Sequence, residues 1–313
     1  MRHVIIDTDP GVDDALALIL AFGSPELSIE GVTTVVGNIS HEKAHNNALK
    51  LLEFLRVGEV PVAPGAMKPL IRPPLDASEF HGETGLGEAV MPEPQLRSDD
   101  RSAVELILDK YEELGRRLTV IAIGPLTNIA SALLADPRLA ESGGDLIIMG
   151  GAFNVTPYGH GNVTPVAEFN IWHDPEAAKI VFSSGIPIKA IGLDVTTHPE
   201  NRLSKERFEE IRTLDTRRAR IVCDLCCRSI RRFGSLSLHD PLAVAAASDP
   251  NLVDTERFHV DIETWGELTR GQTVTDRRGS RHVQGREELN IDVCVSVNSN
   301  RFLKLFMDRV VLM

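Results

Sequence analysis

Short, unbroken apolar runs alternate along this chain with longer stretches in which apolar positions recur at helical spacing. The first run, His3-Val4-Ile5-Ile6, is followed after a polar block by Ala15-Leu16-Ala17-Leu18-Ile19-Leu20, a strand and then a buried helix. Residues 29–36 are β-branched and stop at Gly37-Asn38, and a helical pattern runs from about 41 to 56. Residues 61–74 are rich in proline and are expected to lack regular structure, and His81-Gly82-Glu83-Thr84-Gly85-Leu86-Gly87 reads as a movable loop. A helix near 102–114, a strand at 118–123 and a helix after Thr127-Asn128 follow. The strand at 146–149 ends at Gly150-Gly151, a long polar loop reaches Asn170, Asp174-Pro175-Glu176 opens a helix, and 188–192 is a strand. Residues 199–248 read as mainly helical, 258–263 and 267–275 as a hairpin around Trp265-Gly266, and the end as a strand near 291–297 with a helix.

This alternation predicts an α/β fold: an open, mostly parallel central sheet flanked by helices, with extra C-terminal helices and a β-hairpin. No repeat or low-complexity linker divides it, so 1–313 reads as one domain. The net charge of −12 argues against nucleic-acid binding, which needs a basic face. No apolar run reaches membrane length and no leader pattern opens the chain, so a reducing, cytoplasmic compartment is expected. Cys223, Cys226 and Cys227 share one face of a helix and Cys294 stands apart, which suits core residues better than a zinc site. Trp172 and Trp265 read as packing residues.

The polar block is the most informative segment: Asp7-Thr8-Asp9-Pro10-Gly11-Val12-Asp13-Asp14, set between a strand and a helix. A helix dipole accounts for two acids in a first turn, not for four crowded carboxylates. Close carboxylates repel unless a cation or a shared proton intervenes, so the block reads as an oxygen-donor site for a hard metal ion. Four more polar clusters fall at strand ends or helix starts: Gly37-Asn38, Pro125-Leu126-Thr127-Asn128, the loop from Gly161 to Asn170, and Ser237-Leu238-His239-Asp240-Pro241. In a parallel sheet such ends converge on one rim.

Taken in order, these blocks resemble the nucleoside hydrolase family (inosine–uridine preferring nucleoside N-ribohydrolases) over nearly the whole length. The resemblance rests on Asp7-Thr8-Asp9-Pro10-Gly11-Val12-Asp13-Asp14-Ala15, the loop from Asn162 to Asn170, Trp172-His173-Asp174-Pro175-Glu176-Ala177-Ala178, and His239-Asp240-Pro241-Leu242-Ala243. It implies a Ca²⁺ ion held by Asp9, Asp14, Asp240 and the main-chain carbonyl of Thr127, a donor set that suits calcium. It implies hydrolysis of the N-glycosidic bond of a ribonucleoside, in nucleoside salvage, with Asp9 as general base toward a water acidified by the ion. Asp13, Asn38, Glu168 and Asn170 are expected at the ribose hydroxyls and Asn162 at the 5′-hydroxyl. His239 and His81 are the candidates for protonating the leaving base. At the base, Cys227 and Arg231 stand where pyrimidine-preferring relatives tend to carry Gln and Tyr, so base preference stays open. Relatives are commonly homodimers or homotetramers. Two rival readings are weaker: a phosphatase of the haloacid dehalogenase type, which leaves the Asn162–Asn170 loop and His239-Asp240 unexplained, and a non-catalytic nucleoside sensor, against which the intact Asp9 argues.

Overall fold

The computed structural model describes residues 1–75, 78–142, 144–278 and 289–312. Its strands are β1 (Arg2–Thr8), β2 (Leu27–Thr34), β3 (Val62–Pro64), β4 (Leu118–Ala122), β5 (Asp145–Met149), β6 (Ile188–Ile191), β7 (Arg202–Ser204), β8 (Ser235–Ser237), β9 (Val253–Phe258), β10 (Val260–Ile262), β11 (Thr273–Thr275) and β12 (Ile291–Val297). Eight of them form one sheet in the order β3-β2-β1-β4-β5-β6-β12-β9. Every neighbouring pair is parallel except β12 and β9. The mostly parallel sheet flanked by helices is the architecture the apolar pattern predicts.

Side chains of the central strands alternate between two apolar layers, as the period of two along a strand requires. Val4, Ile6, Ile121, Ile147 and Met149 face one core; Ile5, Val120, Ala122, Leu146 and Ile148 face the other. Both faces are therefore covered, which is why these strands read as continuous apolar runs. The helix Val12–Phe22 is buried along most of its length and packs against the helix His239–Ser248.

The chain leaves β1 first toward β2 and β3, then returns to β4 on the other side of β1. The order reverses between β1 and β4, and ligands in open α/β sheets bind in the crevice beyond that point. The aspartate block follows β1, and Gly124-Pro125-Leu126-Thr127 follows β4, so the topology brings the two together.

Four local expectations are corrected. The proline-rich stretch contains β3, a three-residue edge strand ending in Pro64, where the missing N–H needs no partner. The hairpin arms are only β10 and β11: Phe258 belongs to β9, and the connection is bent back by Gly271 N bonding Glu263 O at 2.7 Å. The stretch expected to be helical holds the antiparallel pair β7–β8. His81 ends a one-turn helix, Ser78–His81, rather than lying in the glycine-rich loop. Among the described residues no helix is long and apolar enough to cross a membrane.

Candidate active site

Beyond β1 the backbone turns through Pro10-Gly11 and enters the helix Val12–Phe22, whose first turn carries Asp13 and Asp14. The Asp14 carboxylate accepts hydrogen bonds from Thr8 Oγ1 at 2.6 Å, Gly11 N and Asn38 Nδ2 at 2.9 Å and Asp9 N at 3.2 Å. Four donors fix its orientation. Asp9 Oδ2 accepts from Asn38 N at 2.6 Å, whereas its Oδ1 is buried with no partner among the described residues. A side chain on Gly124 would come within 2.7 Å of that oxygen, so the end of β4 is kept bare to admit it. Asp7 faces elsewhere: Thr33 Oγ1 and Asn128 Nδ2 bond it at 2.6 and 2.7 Å, and burial pushes it up to about 7. It braces β1 against β2 and the helix Thr127–Ala135, and it does not line the cavity described below.

Asp240 enters from the first turn of His239–Ser248. Asp13, Asp14 and Asp240 each present an oxygen within 4.8 Å of the others, a grouping that could hold a metal ion. Burial, followed by the charges of Asp13, Asp14, Asp9 and Glu168, holds Asp240 well above the usual carboxylate range. Burial and then Asp14 do the same to Asp9; burial lifts Asp13 to about 6, and burial with the Asp13 charge raises Asp14. A cluster of acceptor-only oxygens that resist ionisation, with one orphaned oxygen beside it, fits a hard divalent cation. Thr127 begins the helix Thr127–Ala135; its Oγ1 donates to Asp174 and its carbonyl accepts from Ser131 Oγ, both at 2.7 Å.

Over the acids lies a cavity of about 730 Å³. Asp13, Asn38, Asn162, Glu168, Asn170 and Asp240 line it. Glu168 is held rigidly: Oε1 accepts from Asn170 N at 2.9 Å, and Oε2 from Gly151 N at 3.0 Å and Ile171 N at 3.1 Å. Asn170 Nδ2 donates to the carbonyls of Ile123 and Met149, the ends of β4 and β5. His81, Arg202, Ser229, Phe233 and His239 also line the cavity. His81 Nδ1 accepts from Val12 N at 3.1 Å, which puts the proton of a neutral ring on Nε2. His239 Nδ1 bonds Thr196 Oγ1 at 2.7 Å; burial, then the charges of Arg202 and His81, push it down to about 4.

Thus Asp13, Asn38, Asn162, Glu168, Asn170, His81 and His239 share one cavity, with Asp9 and Asp14 beneath it. Arg231 does not join them: it is exposed on the helix Arg217–Phe233 and pairs with Glu88. Cys227 also bonds Glu88, at 3.1 Å, and of the three helical cysteines only Cys226 is fully buried. Trp172 is half-buried at the cavity, with the Arg270 guanidinium 4.1 Å from its ring centre, whereas Trp265 is 90% exposed and is not a packing residue. Sequence reasoning missed Asp194, whose carboxylate accepts from Phe153 N and Val155 N at 2.8 Å and Thr156 N at 3.2 Å, anchoring the loop that leads to Asn162. It missed Thr196 and Arg202 as well. The strand-end logic, applied to the run ending at Gly192, points to Asp194 and Thr196; Arg202 carries no such signal.

Comparisons with known proteins identify the family. Residues 4–304 match the family model described as inosine-uridine preferring nucleoside hydrolase. The chain is 41% identical to a pyrimidine-specific ribonucleoside hydrolase RihA of Shewanella sp. (strain ANA-3), over 98% of this chain and 95% of that one. It is 38% identical to the protein of the same name from Escherichia coli O9:H4 (strain HS), over 98% and 97%. A solved purine-preferring ribonucleoside hydrolase from Gardnerella vaginalis superposes with a TM-score of 0.89 at 34% identity, covering 99% of this chain and 98% of that one. On fold, site and sequence together, the chain belongs to the inosine–uridine preferring nucleoside hydrolase family.

Proposed function

We propose that this ribonucleoside hydrolase splits its substrate into ribose and free base with a Ca²⁺ ion held by Asp9, Asp14, Asp240 and the Thr127 carbonyl, and with Asp9 as general base. The observation that carries this is the buried, partnerless Oδ1 of Asp9 beside three carboxylates within reach of one ion, at the floor of a cavity of nucleoside size. When bound, such a cation acidifies water and neutralises the clustered charge.

The protein's own residues do the rest. Asp9 is held at Oδ2 by Asn38 N, which leaves Oδ1 free to take the proton of the attacking water. Asp13, Asn38, Glu168 and Asn170 hold the ribose hydroxyls, and Asn162 reaches the 5′-hydroxyl. Asp13 also stands within reach of the ion, so it is shared between ion and sugar. As the bond to the base breaks, positive charge grows on the ribose ring, and the fixed carboxylates of Glu168 and Asp13 stabilise it. His239 and His81 stand at the cavity wall with Nδ1 of each ring already engaged, so Nε2 is the nitrogen left to meet the leaving base.

Reducing-sugar release from inosine, adenosine, uridine and cytidine, in Ca²⁺ and in EGTA, tests the proposal. Turnover in Ca²⁺ that chelation abolishes is the expected result. No release from any of the four, or equal release in EGTA, would overturn it.

A further inference from the structure

Arg202 lies on β7, which pairs with β8 so that Arg202 stands opposite Ser237, two residues before His239. Leu203 beside it is fully buried on the other face, so alternation along the strand turns Arg202 toward the cavity, whose wall it joins with Ser229, Phe233 and Ser237. Its guanidinium has five donors. Nη2 reaches the Thr197 carbonyl at 2.9 Å, and Nε is buried with no partner. Among the described residues it has no carboxylate partner, whereas Arg228, Arg231 and Arg232 on the neighbouring helix are all engaged by the segment holding Glu79 and Glu88. A cation with unused donors at a cavity wall, in a chain of net charge −12, needs an acceptor that arrives with the ligand. The acidic residues of the lining are those proposed above for the ribose, so the acceptor belongs to the base.

We propose that Arg202 reads the base, donating hydrogen bonds to a carbonyl oxygen of the leaving heterocycle and stabilising the negative charge it gains. This rests on the hydrolase function proposed above. As the C1′–N bond breaks, its electron pair moves onto the base; in a base whose ring nitrogen is conjugated to a carbonyl, that charge spreads to oxygen. Arg202 shares the charge without giving up a proton, water adds to C1′ with its proton passing to Asp9, and the departing base takes its own proton at a ring nitrogen from His239 or His81, which regains one from solvent. A fixed donor aimed where charge develops favours the transition state over the ground state. Carbonyl-bearing bases such as uracil and hypoxanthine are then preferred over adenine, which offers an amino group instead.

The test compares Arg202→Met, which keeps the length and removes the donors, with Arg202→Lys, which restores the charge. In the Ca²⁺-loaded full chain, Arg202→Met should lower kcat/KM for uridine and inosine about 100-fold, and their advantage over adenosine should shrink about tenfold. Arg202→Lys should recover part of both. An unchanged uridine-to-adenosine ratio in Arg202→Met overturns the proposal, with the adenosine rate reporting that the variant is folded. Calorimetric binding of pseudouridine, an uncleavable nucleoside with the same two carbonyls, separates the two ideas. If the wild type splits no nucleoside yet binds pseudouridine more tightly than Arg202→Met does, hydrolysis fails and the base-reading role stands. Equal affinity for pseudouridine in wild type and variant overturns the role of Arg202.

Discussion

Stripping divalent cations from the protein at rising pH should expose the cost of gathering its carboxylates. Burial lifts Asp13 from 3.8 to about 6, and Asp9, Asp14 and Asp240 move the same way. A folded-state pKa above the unfolded value gives stability that is intact below about 3.8 and is lost as pH rises through about 6. For Asp13 alone the loss at pH 7 is about 3 kcal/mol. Unfolding entropy for 313 residues is about 0.66 kcal/mol/K, so this corresponds to about 5 °C in Tm. About half of this loss, about 1.4 kcal/mol or about 2 °C, falls between about pH 5 and 8, so calorimetric scans in EGTA and in excess Ca²⁺ stepped over that range should give a Tm gap that widens by at least that much. Asp240→Asn, which removes one of the crowded charges, should raise the Tm in EGTA near neutral pH while erasing the response to Ca²⁺. A gap that stays constant across the range would show that the acids do not repel one another, and the absence of any gap that they share no ion.

Further outcomes follow from the same contacts. Replacing the ribonucleoside by its 2′-deoxy form should lower kcat/KM by about 1,000-fold or more, because a missing hydroxyl strands the buried polar groups built around it; near-equal rates in a sugar-release assay contradict the ribose contacts. His239→Ala should lower kcat for a natural nucleoside about 100-fold and spare 4-nitrophenyl riboside, whose leaving group departs as a stable anion; equal losses on both substrates would make the residue structural. Asp194→Ala leaves three backbone N–H groups of the loop at 153–156 without their acceptor and should destabilise the protein by about 3 kcal/mol or more, seen as a lower urea midpoint, with KM rising as the Asn162 loop loosens. Below about pH 6 the stacked pair His41 and His45 adds an acid limit: both share Thr34 Oγ1, and His45, pushed down to about 4 by burial and by His41, must unfold to bind its proton, so stability falls as pH drops from about 6.5 toward 4.

The parts of this molecule that were legible in sequence are those whose physics is local. A strand, a Pro-Gly turn and an acidic first turn lie within a dozen residues, so the Asp7–Asp14 block announces both its fold and its chemistry. Strands buried on both faces announce themselves as apolar runs, whereas β9 keeps four of its six residues exposed at the sheet edge and carries no such mark. Arg231 was a reasonable candidate by helical position, but the helix Arg217–Phe233 turns that face to Glu88, a partner 143 residues away. Arg202 reaches the cavity only through β7 pairing with β8, which sequence spacing does not reveal. Trp265 illustrates the reverse failure: apolar bulk alone suggests burial, yet it caps a turn held by Glu263 Oε1 bonding Trp265 N and Gly266 N, and its ring is left outside.

The cavity is built by two different parts of the chain. The wall proposed for the ion and the sugar grows from the rim of the eight-stranded sheet, where any shift is transmitted to both apolar layers. The wall proposed for the base grows from the β7–β8 ribbon, which is separate from the eight-stranded sheet, and from the end of the helix Arg217–Phe233. Sugar chemistry is therefore anchored and base choice is detachable: substitutions in the ribbon can retune which heterocycle fits without disturbing the reaction. Relatives named for pyrimidine specificity and for purine preference share one architecture with this chain, as expected if selectivity lies outside the sheet.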